Sequence, residues 1–393
     1  MLSSQIALVS AGVAKFGVRE ASYRDLITEA GQACFAACGG AIKPDDIDGF
    51  VVCTVMPERT AVQSHIASMA EECLGIRPST LSLRLEHMCQ SGNLGIRTAY
   101  AYIKAGLCKA VMVVGAEKLQ VPVPDEIFLN MSTGLDRDWE ACQGVTAPIM
   151  FAMCAQSHMR KYGTTKEQLA RVAVKNHAHS VNNPYAQFQS GVTLEQVLNA
   201  KSITTPLGLF DCSPISDGAA AVIVTTADRA KEYTDMPVYM IGTGQSVHGL
   251  TFANHYEDLS HWPPLKQAAE SAYAMAAIKP ADVDVAEVHD CFTIAEIITT
   301  EELGFCPKGE GGAFVESGQS DYGGPVVVNP RGGLLGCGHP LGATGVAQTA
   351  EIFRQLRGEA GKRQVTGAKI GLTHNNSGPT EHVVNIFSKE VVS

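Results

Sequence analysis

The sequence AIKPDDIDGFVV at residues 41–52 returns as AIKPADVDVAEV at residues 277–288, with the same residue at seven of the twelve positions. Each copy follows an Ala-rich helical stretch, at 26–38 and 265–276, and leads into an apolar stretch that is typical of a strand. A common turn sequence can produce such a match by coincidence, but the matched order of elements on both sides favours a duplication. Two similar halves would meet at a pseudo-twofold axis, and a site between them would draw residues from both.

Apolar runs and helical stretches alternate along the rest of the chain. Runs rich in β-branched residues are typical of strands buried on both faces, and their alternation with helices predicts an α/β sheet with right-handed crossovers. The predicted strands lie at 5–12, 48–55, 109–117, 219–226, 238–244 and 368–375, and the predicted helices lie at 22–39, 166–183 and 345–359.

The polar, Met- and Asn-rich segment 118–210 breaks this alternation. We therefore predict an N-terminal half at 1–117 and 211–235, an inserted loop domain at 118–210, and a C-terminal half at 236–393. Insertions of this kind often cover a site and bind the tail of a ligand.

Length and composition argue against several classes of protein. A chain of 393 residues is long enough for two or three domains, and its net charge of −10 argues against a nucleic-acid partner. No run of 18 apolar residues is present, so no membrane span is expected. The twelve Cys residues are scattered without a CxxC pair, which predicts reduced thiols in a cytoplasmic protein. The N-terminal segment 1–17 is interpreted as a first strand rather than a signal peptide, and the C-terminal KEVVS is not a peroxisomal address.

Cys89 lies in EHMCQSGNLGIRTAYAYIKAG (86–106), where the β-like run STLSLRLEHM gives way to a helix. The helix dipole favours a thiolate near an N-terminus, and with a nearby imidazole it would ionise about half of the thiol at neutral pH. Small residues after the Cys allow backbone amides to approach a bound carbonyl oxygen. The residues alone predict either a nucleophile or a buried Cys at a tight turn.

His289, Asp290 and Cys291 lie in AEVHDCFTIAEII (286–298), directly after the second copy of the repeat. They also fall where a strand gives way to a helix, which is where sites form in α/β folds. A zinc site would need four ligands at suitable spacing, and the sequence has no second paired cluster, so we predict no metal. A hydrogen-bonded core His beside a buried Cys is the other interpretation.

Six glycines surround His339 in VVVNPRGGLLGCGHPLGATGVAQTAEIFRQL (326–356). Part of this pattern resembles a dinucleotide fingerprint, but the glycines are off register and no acidic residue lies where a ribose would need one. We interpret the segment as a backbone held close to a ligand, with His339 presented by tight turns as a candidate base.

The segment KIGLTHNNSGPTEHVV (369–384) predicts a strand, a polar turn and a last strand. The backbone amides of Asn376, Ser377 and Gly378 would be placed to bind an oxyanion, although an ordinary hairpin loop fits these residues equally well.

Taken together, these segments resemble the thiolase superfamily over nearly the whole chain. The resemblance rests on CQSG (89–92), SPISDGAAA (213–221), and NPRGG (329–333) followed by GHPLGATG (338–345). HDCF (289–292) stands where the better-known degradative thiolases carry Asn-Glu-Ala-Phe. It points to the branch of the sterol-carrier-protein-2 thiolases and the archaeal-type acetyl-CoA acetyltransferases. The resemblance implies a thiolase fold, in which two duplicated βαβαβαββ halves pack as a five-layer α-β-α-β-α sandwich with an inserted loop domain.

The same resemblance implies catalytic roles. Cys89 is similar to the nucleophile that becomes acylated, and His339 to the imidazole that activates it and helps to bind the thioester oxygen. His289 resembles the other donor of that oxyanion hole. Cys291 resembles the acid/base thiol of this branch.

The terminal HNNSG turn (374–378) agrees with that branch, which has lost the Cys of the usual CxG turn. The place of that Cys falls at Asn375. The amides of Cys89 and Ser377 would form a second oxyanion hole around the acyl-enzyme oxygen, and the backbone of Gly378 and Asn375 would belong to the same hole. Ser377 departs from the family pattern, in which a Gly is usual, and so does Cys337, where the branch often has Lys.

The resemblance implies an acyl-CoA C-acyltransferase that cleaves or forms a 3-oxoacyl-CoA through an acyl-enzyme on Cys89. Coenzyme A and acyl-CoA would be substrates, no cofactor would be permanently bound, and the protein would be a homodimer or homotetramer. One alternative is a related C-acyltransferase or retro-aldolase that acts with an OB-fold/zinc-ribbon partner protein. Another is a non-catalytic scaffold or lipid carrier, against which the retained Cys89, His289 and His339 argue.

Overall fold

The computed structural model of the chain describes residues 5–121, 123–252 and 257–391, without the side chains of residues 124 and 125. The first four residues of the predicted N-terminal segment 1–17 and the last two of KEVVS lie outside the described residues.

The N-terminal part of the chain forms buried strands and the helices that cover them. Its elements are β1 (Ile6–Val13), α1 (Tyr23–Ala37), β2 (Gly49–Cys53), α2 (Pro57–Thr60), α3 (Ile66–Leu74), β3 (Leu81–Leu85), α4 (Ser91–Lys104) and β4 (Ala110–Glu117). Every residue of β4 is buried, as its continuous apolar run predicts. α1 begins with a capping box, in which Ser22 Oγ accepts from the Asp25 amide and the Asp25 carboxylate accepts from the Ser22 amide.

After β4 the chain leaves the main sheet and forms helices and a small hairpin. These elements are α5 (Pro124–Met131), α6 (Ala147–Tyr162), α7 (Lys166–Ser180), α8 (Leu194–Leu198), and the antiparallel pair β5 (Ser202–Thr204) and β6 (Leu207–Gly208). The predicted helix at 166–183 is present as α7. The chain returns to the sheet as β7 (Gly218–Thr226).

The C-terminal part repeats the pattern of the first. Its elements are α9 (Ala227–Ala230), β8 (Val238–Val247), α10 (Pro263–Ala276), β9 (Val285–Glu287), α11 (Thr293–Glu302), α12 (Gly311–Glu316), β10 (Val327–Val328), α13 (Gly333–Cys337), α14 (Leu341–Arg357), β11 (Ile370–Asn376) and β12 (Glu381–Ser388).

The two halves have the same strand order. The main sheet runs β10-β9-β11-β12-β8-β1-β7-β4-β2-β3. Numbered along the chain within each half, the strands of both halves therefore follow the order third, second, fourth, fifth, first. The halves meet where Ile6–Leu8 of β1 pairs with Val238–Met240 of β8. The predicted duplication of a βαβαβαββ unit is confirmed.

Helices occupy three layers around these strands. α1 and α3 pack on the N-terminal strands, α10 packs on the C-terminal strands with α11 beside it, and α4 and α14 contact strands of both halves. Alternate residues of β1 enter different cores. Ile6 and Leu8 pack in the core that includes α4 and α14, and Ala7 and Val9 pack in the core that includes α1. This arrangement is the expected five-layer sandwich.

The repeated sequence forms the same turn in both halves. In each copy an Asp carboxylate accepts a hydrogen bond from the backbone amide three residues earlier, at 2.8 Å for Asp46 and 2.7 Å for Asp282. The next shared Asp, Asp48 or Asp284, accepts from amides at the start of β4 or β11. The matched residues of the repeat therefore hold equivalent strands together.

The helices and the cysteines bear on the predictions of no membrane span and of reduced thiols. Within the described ranges, no helix is both long and apolar enough to cross a bilayer. All twelve cysteines are free thiols. The domain limits at residues 117, 211 and 236 stay predictions.

Candidate active site

The predicted site residues lie in loops of both halves, most of them directly after a strand of the main sheet. Cys89 lies between β3 and α4, and His289 and Cys291 lie between β9 and α11. His339 lies between α13 and α14, and residues 377–378 lie between β11 and β12. Both halves of the molecule therefore contribute to the site.

The side chains of Cys89, His289 and His339 converge. The Cys89 sulfur and one ring nitrogen of each His all lie within 4.8 Å of one another. The two imidazole centroids are 4.9 Å apart, with the ring planes at 82°. Both Nε2 atoms are buried and have no hydrogen-bond partner among the described residues. They are therefore free to contact a substrate.

A strained turn presents Cys89. The residue before it, Met88, has a φ of +44°, which is uncommon for a side chain of this size. Ser91 Oγ donates to the Met88 carbonyl at 2.6 Å and accepts from the His87 amide at 2.8 Å. These bonds hold the turn ahead of α4, and Cys89 stays partly exposed at a cavity.

The environment of Cys89 differs from the expected thiolate-stabilising one. Burial, and next the charge of Glu117, raise the pKa of the Cys89 thiol to about 12. The expectation that about half of the thiol would be ionised is therefore wrong, because desolvation outweighs the helix dipole.

His339 is neutral and fixed by its neighbours. Burial, and next the charge of Arg331, lower its pKa to about 3. Its Nδ1 lies 2.7 Å from Thr344 Oγ1, and its backbone amide donates to Ser216 Oγ at 3.0 Å. Asp290 accepts hydrogen bonds from the amides at the start of α13 and so supports this loop. Asp290 is thus a structural residue, which holds the loop that carries His339.

His289 packs against a different set of groups. Its side chain is buried, and its Nδ1 lies 3.3 Å from the side-chain Nδ2 of Asn375. Burial, and next the charge of His339, hold the pKa of His289 well below its usual value. Asn375 is buried in contact with His289 and is not itself among the described residues that line the cavity.

Cys291 and the turn at 377–378 share the cavity with Cys89. Burial, and next the charge of Cys89, raise the pKa of Cys291 well above its usual value. The Ser377 amide donates to the Glu381 carbonyl at 3.0 Å, and its hydroxyl donates to the His87 carbonyl at 2.7 Å. The Ser377 amide is therefore already engaged, unlike the free amide that we predicted.

The cavity has a volume of about 660 Å³ and mainly apolar walls. The inserted segment supplies Phe128, Met131 and Phe151, and the C-terminal half supplies Phe292, which stacks on Phe151 at 4.6 Å. The described part of the lining contains no Lys or Arg. Such a pocket suits an uncharged, largely apolar group.

Sequence reasoning missed the residues that support the two imidazoles. Thr344 contacts His339, and Gln348 contacts Asn375 behind His289. They lie four residues apart on α14, which places them on one face of the helix. The sequence signal that could have identified them is a pair of polar residues, four positions apart, on the helix that follows His339.

The cluster of Cys89, His289 and His339 has the spacing of three metal ligands. However, the Asn375 amide faces His289 Nδ1 and favours a hydrogen on Nε2, the atom that would have to bind the ion. This arrangement fits hydrogen-bond donation better than coordination, and the absence of a metal stays a prediction.

Comparisons with known proteins identify the family. Family models described as "Thiolase, N-terminal domain" and "Thiolase C-terminal domain-like" match residues 6–228 and 244–389. An acetyl-CoA acetyltransferase of Methanothermobacter thermautotrophicus is 45% identical, over 98% of this chain and 99% of that protein. Sterol carrier protein 2 of Bos taurus is 37% identical, over 95% of this chain and 70% of that protein.

Solved structures agree. The "Ltp2-ChsH2(DUF35) aldolase" structure has a TM-score of 0.85 at 26% identity and covers 100% of both chains. Human mitochondrial 3-ketoacyl-CoA thiolase in complex with CoA has a TM-score of 0.76 at 19% identity, covers 99% of both chains and supports the fold alone. The chain therefore belongs to the thiolase family.

Proposed function

We propose that this protein is an acyl-CoA C-acyltransferase that cleaves or forms a 3-oxoacyl-CoA through an acyl-enzyme on Cys89. The convergence of the Cys89 sulfur with a ring nitrogen of His289 and of His339, within 4.8 Å, carries the proposal. The names of its relatives with higher identity agree with this activity.

His339 is the proposed base for Cys89. With its hydrogen on Nδ1, facing Thr344 Oγ1, the ring keeps a lone pair on Nε2. The thiol and the imidazole are both neutral before reaction. The proton therefore moves to His339 as the sulfur bonds to the 3-keto carbon, and the oxygen of that carbon becomes the first oxyanion.

The bond between C2 and C3 then breaks, and its electron pair forms the enolate of an acyl-CoA. The acyl group stays on Cys89. His289 Nε2–H donates to the thioester oxygen that holds the enolate charge, together with His339 in its protonated form. Cys291 is the proposed acid that protonates the enolate carbon.

Coenzyme A completes the cycle. Cys291, now a thiolate, takes the proton of the incoming CoA thiol, and the CoA sulfur attacks the acyl-enzyme. The Cys89 sulfur leaves and recovers the proton held by His339. The amides of Cys89 and Gly378 are the proposed donors to the acyl-enzyme oxygen, because the Ser377 amide is engaged. The reverse sequence condenses two acyl-CoA molecules.

Coenzyme A is a substrate in this scheme. Its phosphates would lie outside the cavity, whose described lining has no cationic side chain. A homodimer or homotetramer and a cytoplasmic location remain proposals, which the family resemblance and the free thiols support. The retro-aldolase alternative is not favoured, because the relatives at 43–45% identity carry acyltransferase names. Association with an OB-fold/zinc-ribbon partner protein remains a proposal.

Turnover of 3-oxoacyl-CoA substrates of several chain lengths, with and without free CoA, tests the proposal. We expect CoA-dependent cleavage of at least one of them by the wild-type protein and none by Cys89→Ala. Cleavage that proceeds equally well without CoA would indicate hydrolysis, in which water takes the place of the CoA thiol.

A further inference from the structure

Asn375 presents an N–H group, and not its oxygen, to His289. Its Nδ2 lies 3.3 Å from His289 Nδ1 and also donates to Gln348 Oε1 and to the His374 carbonyl, at 3.0 Å for the latter. Gln348 is itself fixed, because its Nε2 donates to the Val288 carbonyl at 3.1 Å and leaves Oε1 to accept. Two oxygens that can only accept, Gln348 Oε1 and the His374 carbonyl, face this nitrogen and fix the amide orientation of Asn375, whose buried Oδ1 has no hydrogen-bond partner among the described residues.

This orientation decides the tautomer of His289. A neutral imidazole carries one hydrogen, on either Nδ1 or Nε2. A hydrogen on Nδ1 would face the Asn375 N–H, so Nδ1 keeps its lone pair and the hydrogen lies on Nε2. That Nε2 is buried and has no hydrogen-bond partner among the described residues, and a ring nitrogen of His289 lies within 4.8 Å of the Cys89 sulfur.

A second row of hydrogen bonds supports His289 from behind. His382 Nε2 faces the Pro379 carbonyl at 3.0 Å, which can only accept, so His382 Nδ1 accepts from His374 Nε2 at 3.1 Å. His374 Nδ1 then faces the His289 amide at 3.5 Å. The titratable groups that face His289 are thus Cys89 and His339 at the cavity and His374 and His382 behind it. Burial raises the pKa of Cys89 and lowers the pKa of the three His residues.

We propose that Asn375, held by Gln348, is a positioning residue that fixes His289 as an Nε2–H donor to the enolate oxygen. The inference rests on the proposed thiolase function and adds a residue that acts through His289 and not on the substrate. The enolate oxygen of the substrate then always accepts a hydrogen bond from His289 Nε2–H. No change of tautomer is needed before the reaction.

Asn375→Asp tests the proposal with almost no change in shape. The carboxylate can only accept, so the His289 hydrogen moves to Nδ1. Nε2 then carries no hydrogen and can no longer donate to the substrate. We expect kcat to fall by about 100-fold, with KM changed only a few-fold, because one oxyanion donor is lost. As the pH falls and the new carboxyl at position 375 is protonated, its O–H can donate again and kcat should recover. A purely structural defect would not recover at lower pH.

Two further variants control this experiment. Asn385→Asp makes the same change at another buried Asn, on the adjacent strand β12, whose Nδ2 donates to the Asn93 carbonyl. It should lower stability without producing recovery of kcat at low pH. Gln348→Met removes the acceptor that fixes Asn375. We expect a smaller fall in kcat than in Asn375→Asp, without recovery at low pH, because no carboxyl is introduced.

The tautomer itself is measurable without turnover. In protein labelled with ¹⁵N at histidine, the His289 signal, identified by its loss in His289→Gln, should show hydrogen on Nε2 in the wild type and on Nδ1 in Asn375→Asp. The same tautomer in both proteins, or a loss of kcat that is equal at every pH, would overturn the inference. An inactive wild type with the expected tautomers would refute the proposed function and would leave only the effect of Asn375 on the His289 tautomer established.

Discussion

At the scale of the residue, the free protein holds a neutral thiol beside a neutral imidazole. Burial raises the pKa of Cys89 and lowers that of His339, so the two shifts both oppose a thiolate–imidazolium pair. The Cys89 nucleophile is therefore protonated until substrate binds. Proton transfer from Cys89 to His339 must occur together with the attack of the sulfur on the substrate.

This protonation state predicts how Cys89 reacts with iodoacetamide. Below the pKa of the thiol, the thiolate fraction and the alkylation rate should rise about tenfold per pH unit, without a plateau between about pH 6 and 9. Peptide mapping by mass spectrometry measures the rate at Cys89, with the exposed Cys142 as an internal reference for the reagent. A rate at Cys89 that is constant over this range would indicate a preformed ion pair.

Thr344 offers a test of the base. Thr344→Val keeps the shape of the side chain but removes the oxygen that faces His339 Nδ1. We expect kcat to fall by about tenfold or more, since a general base contributes roughly 100-fold or more and would now lack its orienting partner. Thr344→Ser restores the oxygen and should restore most of kcat. An unchanged kcat in Thr344→Val, with a loss of kcat in Thr344→Ser, would show that the methyl group matters and not the hydrogen bond.

At the scale of the element, a buried carboxylate ties together the ends of three elements. Glu117, at the end of β4, accepts from the amides of Val55 and Met56 after β2 and from the Gly342 amide at the start of α14. Burial raises the pKa of Glu117 to about 7. Since this value lies above the usual one, the folded state holds the proton more strongly, and the contribution of Glu117 to stability falls as the pH rises towards 7.

Glu117→Ala should lower the free energy of unfolding by about 3 kcal/mol, because several buried amides lose their acceptor. Urea denaturation at constant pH measures the change. Glu270→Ala, at an exposed position of α10, is the matched control and should change stability by less than about 0.5 kcal/mol. A loss at Glu117 no larger than that of the control would show that solvent satisfies these amides.

Elements with continuous apolar runs or clear capping were predictable from the sequence. β4 is buried along its whole length, and α7 begins at the capping residue Thr165. α5 and α6 were not predicted, because their apolar residues do not follow a clear helical period in the sequence. Several of these residues face the cavity, which only the folded chain shows. Cys89 and His339 were predictable from the turns that present them, but the pKa of Cys89 was not, because burial is a property of the assembled site.

At the scale of the whole molecule, the site depends on close contact between the central helices α4 and α14. A Cβ at Gly92 would lie 2.8 Å from the Val346 amide nitrogen and 2.9 Å from Gly345 Cα. Cys89 precedes α4 and His339 precedes α14, so this contact sets the separation of the nucleophile and its base. The repeat predicted a site between two halves, but only the fold shows that the helices meet at glycines.

Gly92→Ala should push the two helices apart. We expect a loss of about 2–3 kcal/mol in the free energy of unfolding, since the opposing atoms belong to backbone that cannot repack, and a fall in kcat in the folded fraction. Gly191→Ala, where a Cβ would meet nothing within 4 Å, should have little effect on either. Thermal unfolding and turnover of both variants give the comparison, and unchanged kcat in Gly92→Ala would show that the helix contact does not set the catalytic geometry.

The acyl group on Cys89 is the central claim, and direct detection of this intermediate tests it. The protein should be mixed with a 3-oxoacyl-CoA in the absence of CoA, quenched in acid, and mapped by mass spectrometry. We predict one acyl group per chain on the peptide that contains Cys89, also in Cys291→Ser, and its removal on addition of CoA. An unmodified Cys89 during turnover, or an acyl group carried by Cys291 instead, would contradict the account.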